Sequence, residues 1–162
     1  MHVGYYYITK FLNIINLREN KALKVLKSYD LRIKSELCNI CNTVNKILSF
    51  ILECHGPLKE NVLFDIKVIL NELLQNAIRH GNNEDSSKQV KIKVGIDNSF
   101  VFFIIEDEGK GFDINCCGQK EELMDICEMK ENGRGILIVK NLCESVKYNS
   151  KGNKIVVLKM IE

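Results

Sequence analysis

Residues 69–81 of the chain read Ile-Leu-Asn-Glu-Leu-Leu-Gln-Asn-Ala-Ile-Arg-His-Gly, the pattern of an apolar helix with one polar row. Because residues four apart lie on one helix face, Glu72, Asn76 and His80 make up that row. A helix this apolar is mostly buried, and a buried carboxylate or carboxamide costs free energy unless a partner hydrogen-bonds or coordinates it. A hydrated magnesium ion with phosphates would be such a partner. The alternative is a solvated stripe without a ligand.

Two glycine-containing stretches further along the chain favour a ligand site over a solvated stripe. Residues 106–111 (Glu-Asp-Glu-Gly-Lys-Gly) follow an apolar run that is typical of a strand, and residues 132–136 (Asn-Gly-Arg-Gly-Ile) open an apolar helix. Glycine lets the backbone approach a ligand closely, and the unpaired amides of a helix N-terminus attract anions. Phosphate is therefore the natural ligand of the second stretch. An ordinary turn after a strand is the alternative for the first.

Three short motifs, taken together, resemble the ATP-binding boxes of the GHKL ATPase superfamily. The N box is matched by Glu72-x-x-x-Asn76-Ala77, and the two glycine boxes are matched by Asp107-x-Gly109-x-Gly111 and Gly133-x-Gly135. Each box alone is a weak signal, but three boxes in the right order and context are specific. The resemblance spans residues 28–162.

The resemblance implies a role for each matching residue, with ATP and Mg²⁺ as cofactors. Asp107 would bind the adenine amino group, while Gly109 and Gly111 leave room for the base. Asn76 would hold the magnesium ion that bridges the phosphates. Glu72 would be the general base, which takes a proton from the attacking hydroxyl or water.

The second glycine box would form the phosphate-binding turn through Gly133 and Gly135. Arg134, between these glycines, would reach a phosphate oxygen, or else is simply an exposed arginine. His80 either ends its helix near the phosphates or hydrogen-bonds a backbone carbonyl, so it is given no catalytic role.

Hydrophobic periodicity and turn residues predict the element order β-α-α-β-β-loop-α-β-β. The predicted elements are a strand at 29–33, a helix capped by Ser35 and ending near 53, the central helix at 59–80, a hairpin of strands at 90–96 and 100–106, a helix at 136–144, and strands at 145–148 and 155–161. This order implies an α+β two-layer sandwich, in which helices cover one face of a mostly antiparallel sheet. The GHKL fold has this architecture.

Composition narrows the class of protein. The chain has 162 residues, of which 46% are apolar and 27% charged, which fits one globular domain. Its formal net charge is +2 and its lysines are scattered, so no nucleic-acid-binding face is expected. No apolar run is long enough to span a membrane, and no secretory signal is evident.

Seven cysteines without a secretory signal predict a reducing cytoplasm and free thiols. Cys38-x-x-Cys41 lies in a helical pattern without a second ligand pair or a histidine nearby, so a metal or redox role is not favoured. Most of the seven cysteines are expected to be small buried hydrophobic residues. Cys116 and Cys117, in a predicted loop, are the better candidates for a reactive pair.

Two stretches have no clear place in the predicted sandwich. Residues 1–27 form an N-terminal extension, either a short amphipathic helix that packs on the domain, a second copy or a partner, or an unstructured segment. Residues 112–131 lack periodicity and flank both glycine boxes, which predicts a lid loop over the nucleotide.

Within the superfamily, the chain most resembles the anti-sigma factor serine/threonine kinases, in its length and in its ending of helix, strand, Gly-Asn turn and strand. The resemblance implies a cytoplasmic kinase that phosphorylates a serine of an anti-anti-sigma protein and sequesters a sigma factor, both acting in trans. A homodimer is left open. The alternatives are a non-catalytic, ATP-gated binding switch and a histidine-kinase-like ATPase domain that acts on another partner.

Overall fold

The computed structural model describes residues 27–112 and 131–162 of the chain. In chain order, the described elements are β1 (Lys27–Lys34), α1 (Asn39–His55), α2 (Glu60–Gln75), a π-helical turn (Asn76–Gly81), β2 (Gln89–Ile96), β3 (Phe100–Glu106), α3 (Glu131–Leu142), β4 (Ser145–Tyr148) and β5 (Lys154–Met160). This order agrees with the predicted one. The predicted N-terminal extension, the body of the predicted lid, and Cys116 and Cys117 lie outside the described residues.

The five described strands form one antiparallel sheet in the order β1-β2-β3-β5-β4. A tight turn joins β2 to β3, because the Asp97 carboxylate accepts the backbone N–H groups of Ser99 and Phe100 at 2.9 and 2.7 Å. Burial alternates along β1 and along the first part of β2, as expected for strands with one wet face. The predicted α+β fold with a mostly antiparallel sheet is confirmed.

The helices bury their apolar sides against one face of this sheet. Tyr29 of β1 stacks on Phe50 of α1 with ring centroids 5.2 Å apart, and the Lys159 ammonium of β5 lies 2.8 Å from the Asp65 carboxylate of α2. The main hydrophobic core combines aliphatic side chains of α1, α2, the π-helical turn and α3 with alternate residues of the strands. The packing fixes α2 beside the end of β3 where the candidate site lies.

Three local predictions were wrong. Ser35 does not cap α1, which begins at Asn39 after the N-cap residue Cys38; Ser35 is buried and bonds to a distant side chain instead. The central helix is not α-helical to His80, because its last turn widens into the π-helical turn. The helix predicted to begin at Ile136 begins at Glu131.

Cys38 and Cys41 are exposed at the start of α1, so the expectation that most cysteines are buried fails for these two. Cys54 and Cys143 are half-buried, and all four thiols are free. Burial raises the pKa of the Cys143 thiol to about 12. Among residues 27–112 and 131–162, no helix is long and apolar enough to cross a membrane.

Candidate functional site

A cavity of about 1030 Å³ opens at the end of the sheet where β3 stops and β5 starts. The end of α2, the π-helical turn, the segment after β3, the turn before β5 and one side of α3 surround it. Candidate residues from the sequence that line it are Asn76, His80, Asp107, Gly109 and Gly111. The volume suits a ligand larger than a single phosphate.

Asp107 is held in place at the end of β3 by its backbone and by its carboxylate. Its N–H donates to the Asn153 carbonyl at 3.0 Å, and its own carbonyl accepts the Asn153 side-chain amide at 2.8 Å. The Gly109 N–H donates to the carboxylate Oδ1 at 2.8 Å. Burial raises the pKa of the Asp107 carboxyl, against the opposing effects of that N–H group and of Lys151. The carboxylate is therefore a partly desolvated hydrogen-bond acceptor facing the cavity.

Gly81 forms the wall behind the Asp107 carboxylate. A Cβ atom on Gly81 would lie 2.3 Å from Asp107 Cγ, and one on Gly109 would lie 2.1 Å from the Gly81 carbonyl oxygen. Contacts this short cannot persist: at position 109 the Gly81 backbone blocks a side chain, whereas at position 81 a side chain would force the Asp107 carboxylate to move. Sequence reasoning treated Gly81 only as the end of a helix and missed this role. The sequence signal for this role was that Gly81 directly follows His80, the last residue of the polar row.

Asn82 is a second residue that sequence reasoning missed. Its side chain is fully buried, and its amide donates to Ser35 Oγ at 2.6 Å and to the Gln89 carbonyl at 3.0 Å. Its Oδ1 accepts the Glu108 N–H at 2.8 Å. One side chain thus ties the segment after β3 to the end of β1 and the start of β2. Sequence alone offers only an asparagine at a predicted turn.

The glycine box after β3 packs against the turn before β5. Gly111 and Gly152 both have positive φ, +77° and +75°, and each lies so close to the other segment that a Cβ would overlap its backbone. Phe112 meets the Tyr148 ring edge-on, with centroids 5.1 Å apart. Gly111 therefore shapes the cavity through backbone packing.

Asn76 begins the π-helical turn and lines the cavity beside Ala77 and Leu73. Its Nδ2 is buried without a hydrogen-bond partner, and within residues 27–112 and 131–162 it is the only such side-chain atom. A buried amide without a partner costs free energy, so a ligand that bonds it would bind favourably. Its carboxamide oxygen is a hard donor of the type that Mg²⁺ accepts. These features fit a magnesium–phosphate ligand.

Glu72 lies one turn before Asn76 but does not line the cavity. A Cβ atom on Gly135 would lie 2.2 Å from Glu72 Oε2, so the carboxylate rests directly against the backbone of α3. The structure thus brings Glu72 and Gly135 together, while Asn76 and Asp107 share the cavity. Whether Glu72 meets a substrate depends on the position of α3.

The second glycine box lies inside α3 rather than before it. Gly133 is the third residue of the helix and Gly135 the fifth. Because only the first four N–H groups of a helix lack internal partners, the Gly133 amide remains available to an anion, whereas the Gly135 amide can bond within the helix. Arg134 is exposed and does not line the cavity.

The charge around the cavity suits a polyanionic ligand that also carries one hydrogen-bond donor. Lysines at four of the described positions line it, namely Lys88, Lys110, Lys140 and Lys154. Lys154 is paired with Glu106 at 2.8 Å, and the Glu108 carboxylate accepts the Gln89 N–H at 3.0 Å. The Asp107 carboxylate remains the acidic group aimed at a ligand donor.

Comparisons with known proteins agree with this geometry. Residues 37–159 match the model of the histidine kinase-like ATPase domain family. The chain is 31% identical over 117 residues to a protein named anti-sigma F factor from Anoxybacillus flavithermus, covering 72% of this chain and 78% of the relative. Identity to the anti-sigma F factor of Bacillus subtilis is 29% over 104 residues, covering 64% and 70%.

A third relative has a name that includes an activity. The chain is 29% identical over 93 residues to a protein named serine-protein kinase RsbW from Oceanobacillus iheyensis. The match covers 54% of this chain and 58% of that protein, so it spans less than two thirds of the relative's length.

Proposed function

This chain belongs to the histidine kinase-like ATPase family and, within it, to the anti-sigma factor kinases. From that premise we propose that it is an ATP-dependent serine/threonine kinase. Its substrate is an anti-anti-sigma protein, and its second partner is a sigma factor that it sequesters. It works in the cytoplasm. The names of the relatives support a sigma-factor partner and a serine substrate. The observation that carries the ATP-binding step is the unpaired buried amide of Asn76 in the cavity that Asp107 also lines.

The adenine amino group is bound by the Asp107 carboxylate. The Gly81 and Gly109 backbones press close around this carboxylate, and the Gly109 N–H fixes its orientation at 2.8 Å. An acceptor held by its neighbours loses little entropy when a ligand binds, which favours affinity and selectivity for a base that carries a donor at that edge. Gly111 keeps the floor of the base pocket flat by packing on the Lys151 carbonyl.

The phosphates lie toward Asn76 and the start of α3. Asn76 would hold Mg²⁺ through its carboxamide oxygen, and the ion would neutralise phosphate charge in phosphoryl transfer. The Gly133 amide, with Arg134 beside it, would contact phosphate oxygens at the helix start. Gly135, which is predicted to form the phosphate-binding turn with Gly133, also makes room for the Glu72 side chain.

Glu72 acts as the general base in the kinase proposal. A carboxylate that accepts the proton of an attacking serine hydroxyl must lie within hydrogen-bond reach of it. Here the carboxylate rests against Gly135 rather than at the cavity wall, so catalysis requires a change in the relation of α2 to α3 when ATP and the substrate bind.

The placement of Glu72 also supports a second candidate, an ATP-gated binding switch without catalysis. In that case, the contact of Glu72 with Gly135 couples nucleotide binding to the position of α3, and partner affinity changes while no phosphate is transferred. A histidine-kinase-like domain acting on another carrier is the third possibility, and no feature of the described residues favours it over the first two.

The experiment that separates kinase from switch compares Glu72→Gln with Asn76→Ala. Glu72→Gln keeps size but removes the proton acceptor, so ATP binding stays near wild type while phosphotransfer falls about a hundredfold or more. Asn76→Ala weakens magnesium-dependent ATP binding together with turnover. Glu60→Gln, an exposed carboxylate in the first turn of the same helix, is the matched control and changes neither.

Phosphotransfer is followed with labelled ATP and a co-purified anti-anti-sigma protein, and ATP binding by calorimetry. A wild-type protein that binds ATP and its sigma factor but phosphorylates no candidate protein would refute the kinase proposal and leave the switch. A wild-type protein that binds no ATP would refute both.

A further inference from the structure

The Cys38-x-x-Cys41 pair lies on the surface at the start of α1. Both thiols are free and exposed, whereas Cys54 at the other end of the same helix is half-buried. Burial raises the pKa of the Cys143 thiol to about 12, which makes that thiol unreactive at neutral pH. A cysteine that reacts reversibly with solutes must be accessible to them. Of the four described cysteines, Cys38 and Cys41 meet this requirement.

The backbone at the start of α1 brings the two side chains to one side of the helix. The N–H groups of Asn39 and Ile40 donate to carbonyl oxygens three residues back, each at 3.1 Å. Bonds of this kind wind the chain as a 3₁₀ turn, in which side chains three residues apart are aligned. Cys38, the N-cap residue, and Cys41 have this spacing. Helical side chains at this spacing have Cβ atoms about 5–6 Å apart and a disulfide needs about 3.8 Å, so closing the pair requires a movement of about 1–2 Å.

Each sulfur atom of the pair has a polar neighbour at the surface. The Cys38 S–H group donates to Glu36 Oε2 at 3.8 Å, and the Asn45 side-chain amide donates to Cys41 Sγ at 3.9 Å. Both contacts are exposed, so the sulfur atoms remain open to a solute. The Glu36 carboxylate can also accept the thiol proton when the Cys38 sulfur reacts.

We propose that Cys38 and Cys41 form a reversible disulfide whose closure weakens ATP binding. The oxidant is a low-molecular-weight disulfide. The Cys38 sulfur attacks one of its sulfur atoms, so that a mixed disulfide forms and one small thiol leaves. The Cys41 sulfur then attacks the Cys38 sulfur, so that the protein S–S bond forms and the second small thiol leaves. The two protons lost by the cysteines balance those gained by the two small thiols, and the oxidant takes up the two electrons.

The movement that closes the pair falls on Cys38 rather than on Cys41. Cys41 directly follows Ile40, which is buried in the main core together with Val44 one turn further on. Cys38 precedes the first residue of α1 and lies in the turn that connects the helix to β1. A closing disulfide therefore draws this turn toward the helix. Since the closed pair is exposed and strained, it is readily reduced again.

Ser35 connects this turn to the candidate ATP site. It lies three residues before Cys38, and its Oγ accepts the Asn82 side-chain amide at 2.6 Å. Asn82 Oδ1 accepts the Glu108 N–H, next to Asp107, at 2.8 Å. A shift of about 1 Å at Ser35 takes the first of these contacts beyond hydrogen-bond range. The Asn82 side chain then holds the Glu108 N–H, and with it Asp107, less firmly.

Mass spectrometry of the full chain detects the disulfide directly. Trypsin cleaves after Lys34 and Lys46, so one peptide, residues 35–46, carries both cysteines and no other. In excess oxidised glutathione this peptide should lose the mass of two hydrogen atoms, and excess reduced glutathione should restore it. Cys54→Ser, on the same helix, should behave as wild type, whereas Cys41→Ser cannot close the bond. A wild-type peptide that stays open, or that carries only glutathione, would overturn the proposal.

Hydrogen exchange then measures whether closure reaches the segment after β3, without any nucleotide. We expect the Glu108 N–H to exchange severalfold faster in the oxidised than in the reduced wild type, as NMR detects. In Cys41→Ser the rate should be the same under both conditions. Ser35→Ala removes the acceptor for the Asn82 amide, so oxidation should not accelerate exchange further in this variant. Equal rates in oxidised and reduced wild type, or equal acceleration in Ser35→Ala, would contradict the coupling through Ser35.

Calorimetry with ATP and Mg²⁺ measures the effect on the nucleotide. ATP should bind severalfold more weakly to the oxidised than to the reduced wild type, and equally to Cys41→Ser after either treatment. Equal ATP affinity in a wild-type protein whose disulfide has closed would refute the regulation. This readout rests on the proposed function. If the reduced protein binds no ATP, the proposed function fails, while the peptide mass and the Glu108 exchange still decide whether the disulfide forms and acts on this segment.

Discussion

Replacing Gly81 by alanine tests the assignment of the Asp107 pocket most directly. A Cβ at position 81 would lie 2.3, 2.5 and 2.7 Å from Cγ, Oδ2 and Oδ1 of Asp107, whereas ordinary contacts begin near 3.4 Å. The carboxylate must therefore move by about 1 Å, which pulls its Oδ1 away from the Gly109 N–H. Gly81 does not have a positive φ, so alanine adds no backbone strain.

The displaced carboxylate no longer meets the adenine amino group with good geometry. Loss of one buried hydrogen bond costs about 1–3 kcal/mol, and we expect ATP to bind about 5- to 150-fold more weakly to Gly81→Ala. Calorimetry with ATP and Mg²⁺ measures the affinity, and a thermal melt checks that the variant folds.

A double-mutant cycle shows whether the added methyl acts through Asp107. In an Asp107→Ala background the carboxylate is absent, so Gly81→Ala should have little further effect on ATP affinity. If Gly81→Ala weakens ATP binding equally in both backgrounds, the methyl acts through the backbone and the reasoning about the pocket is refuted.

Three further predictions concern the same end of the sheet. Asp107→Asn should weaken ATP binding by about 1–3 kcal/mol and GTP binding much less, because the amide adds a misplaced donor at the adenine edge; equal ATP affinity by calorimetry would contradict the assignment. Asn82→Asp removes the donors to Ser35 and Gln89 and should lower the free energy of unfolding by about 1–3 kcal/mol, more than Ser35→Ala does, as urea titration measures. Because only an ionised Asp107 carboxylate accepts the adenine donor, ATP affinity should be lost as the pH falls. Lys151 lowers the pKa of this carboxyl, so Lys151→Met should move the loss of ATP affinity to higher pH. The control Lys67→Met on α2 should leave it unchanged.

The strands and the central helix were predictable because their signals are local. Alternation along β1 and β2, turn chemistry at Asp97 and the apolar face of α2 each require only neighbouring residues. These signals also fix which face of each strand meets the helices, and the position of Asp107 directly after β3 places it at one end of the sheet. The residue types at the site were visible for the same reason.

The π-helical turn was not predictable from periodicity. The Asn82 N–H bonds the Ala77 carbonyl at 2.9 Å, five residues back, so one extra residue is accommodated in the turn. Ala77 and Ile78 remain buried whether the turn is α- or π-helical, and the apolar pattern is the same in both cases. The wider turn exposes His80 and brings Gly81 against Asp107.

Ser35 does not take the N-cap role that its local sequence predicts, because it hydrogen-bonds a residue that is distant in sequence. A serine before an apolar helical pattern is a good N-cap, but here Ser35 is fully buried and accepts the Asn82 amide at 2.6 Å, across 47 residues of sequence. A buried hydroxyl needs a partner, and Asn82 needs an acceptor for its second N–H. The tertiary pair satisfies both, and α1 begins without a side-chain cap.

The contact between Glu72 and Gly135 could not be predicted from the sequence either. It adds a packing role to the second glycine box. A glycine in a helix interior costs about 1 kcal/mol relative to alanine, so Gly135 needs a reason to be there. With the helix predicted to start at Ile136, Gly135 was expected to lie before the helix and to bind a phosphate there. With α3 beginning at Glu131, the reason becomes the Glu72 carboxylate, which would lie 2.2 Å from any Cβ at that position. The glycine thus lets α2 and α3 approach each other, and the proposed base lies at a contact between these two helices.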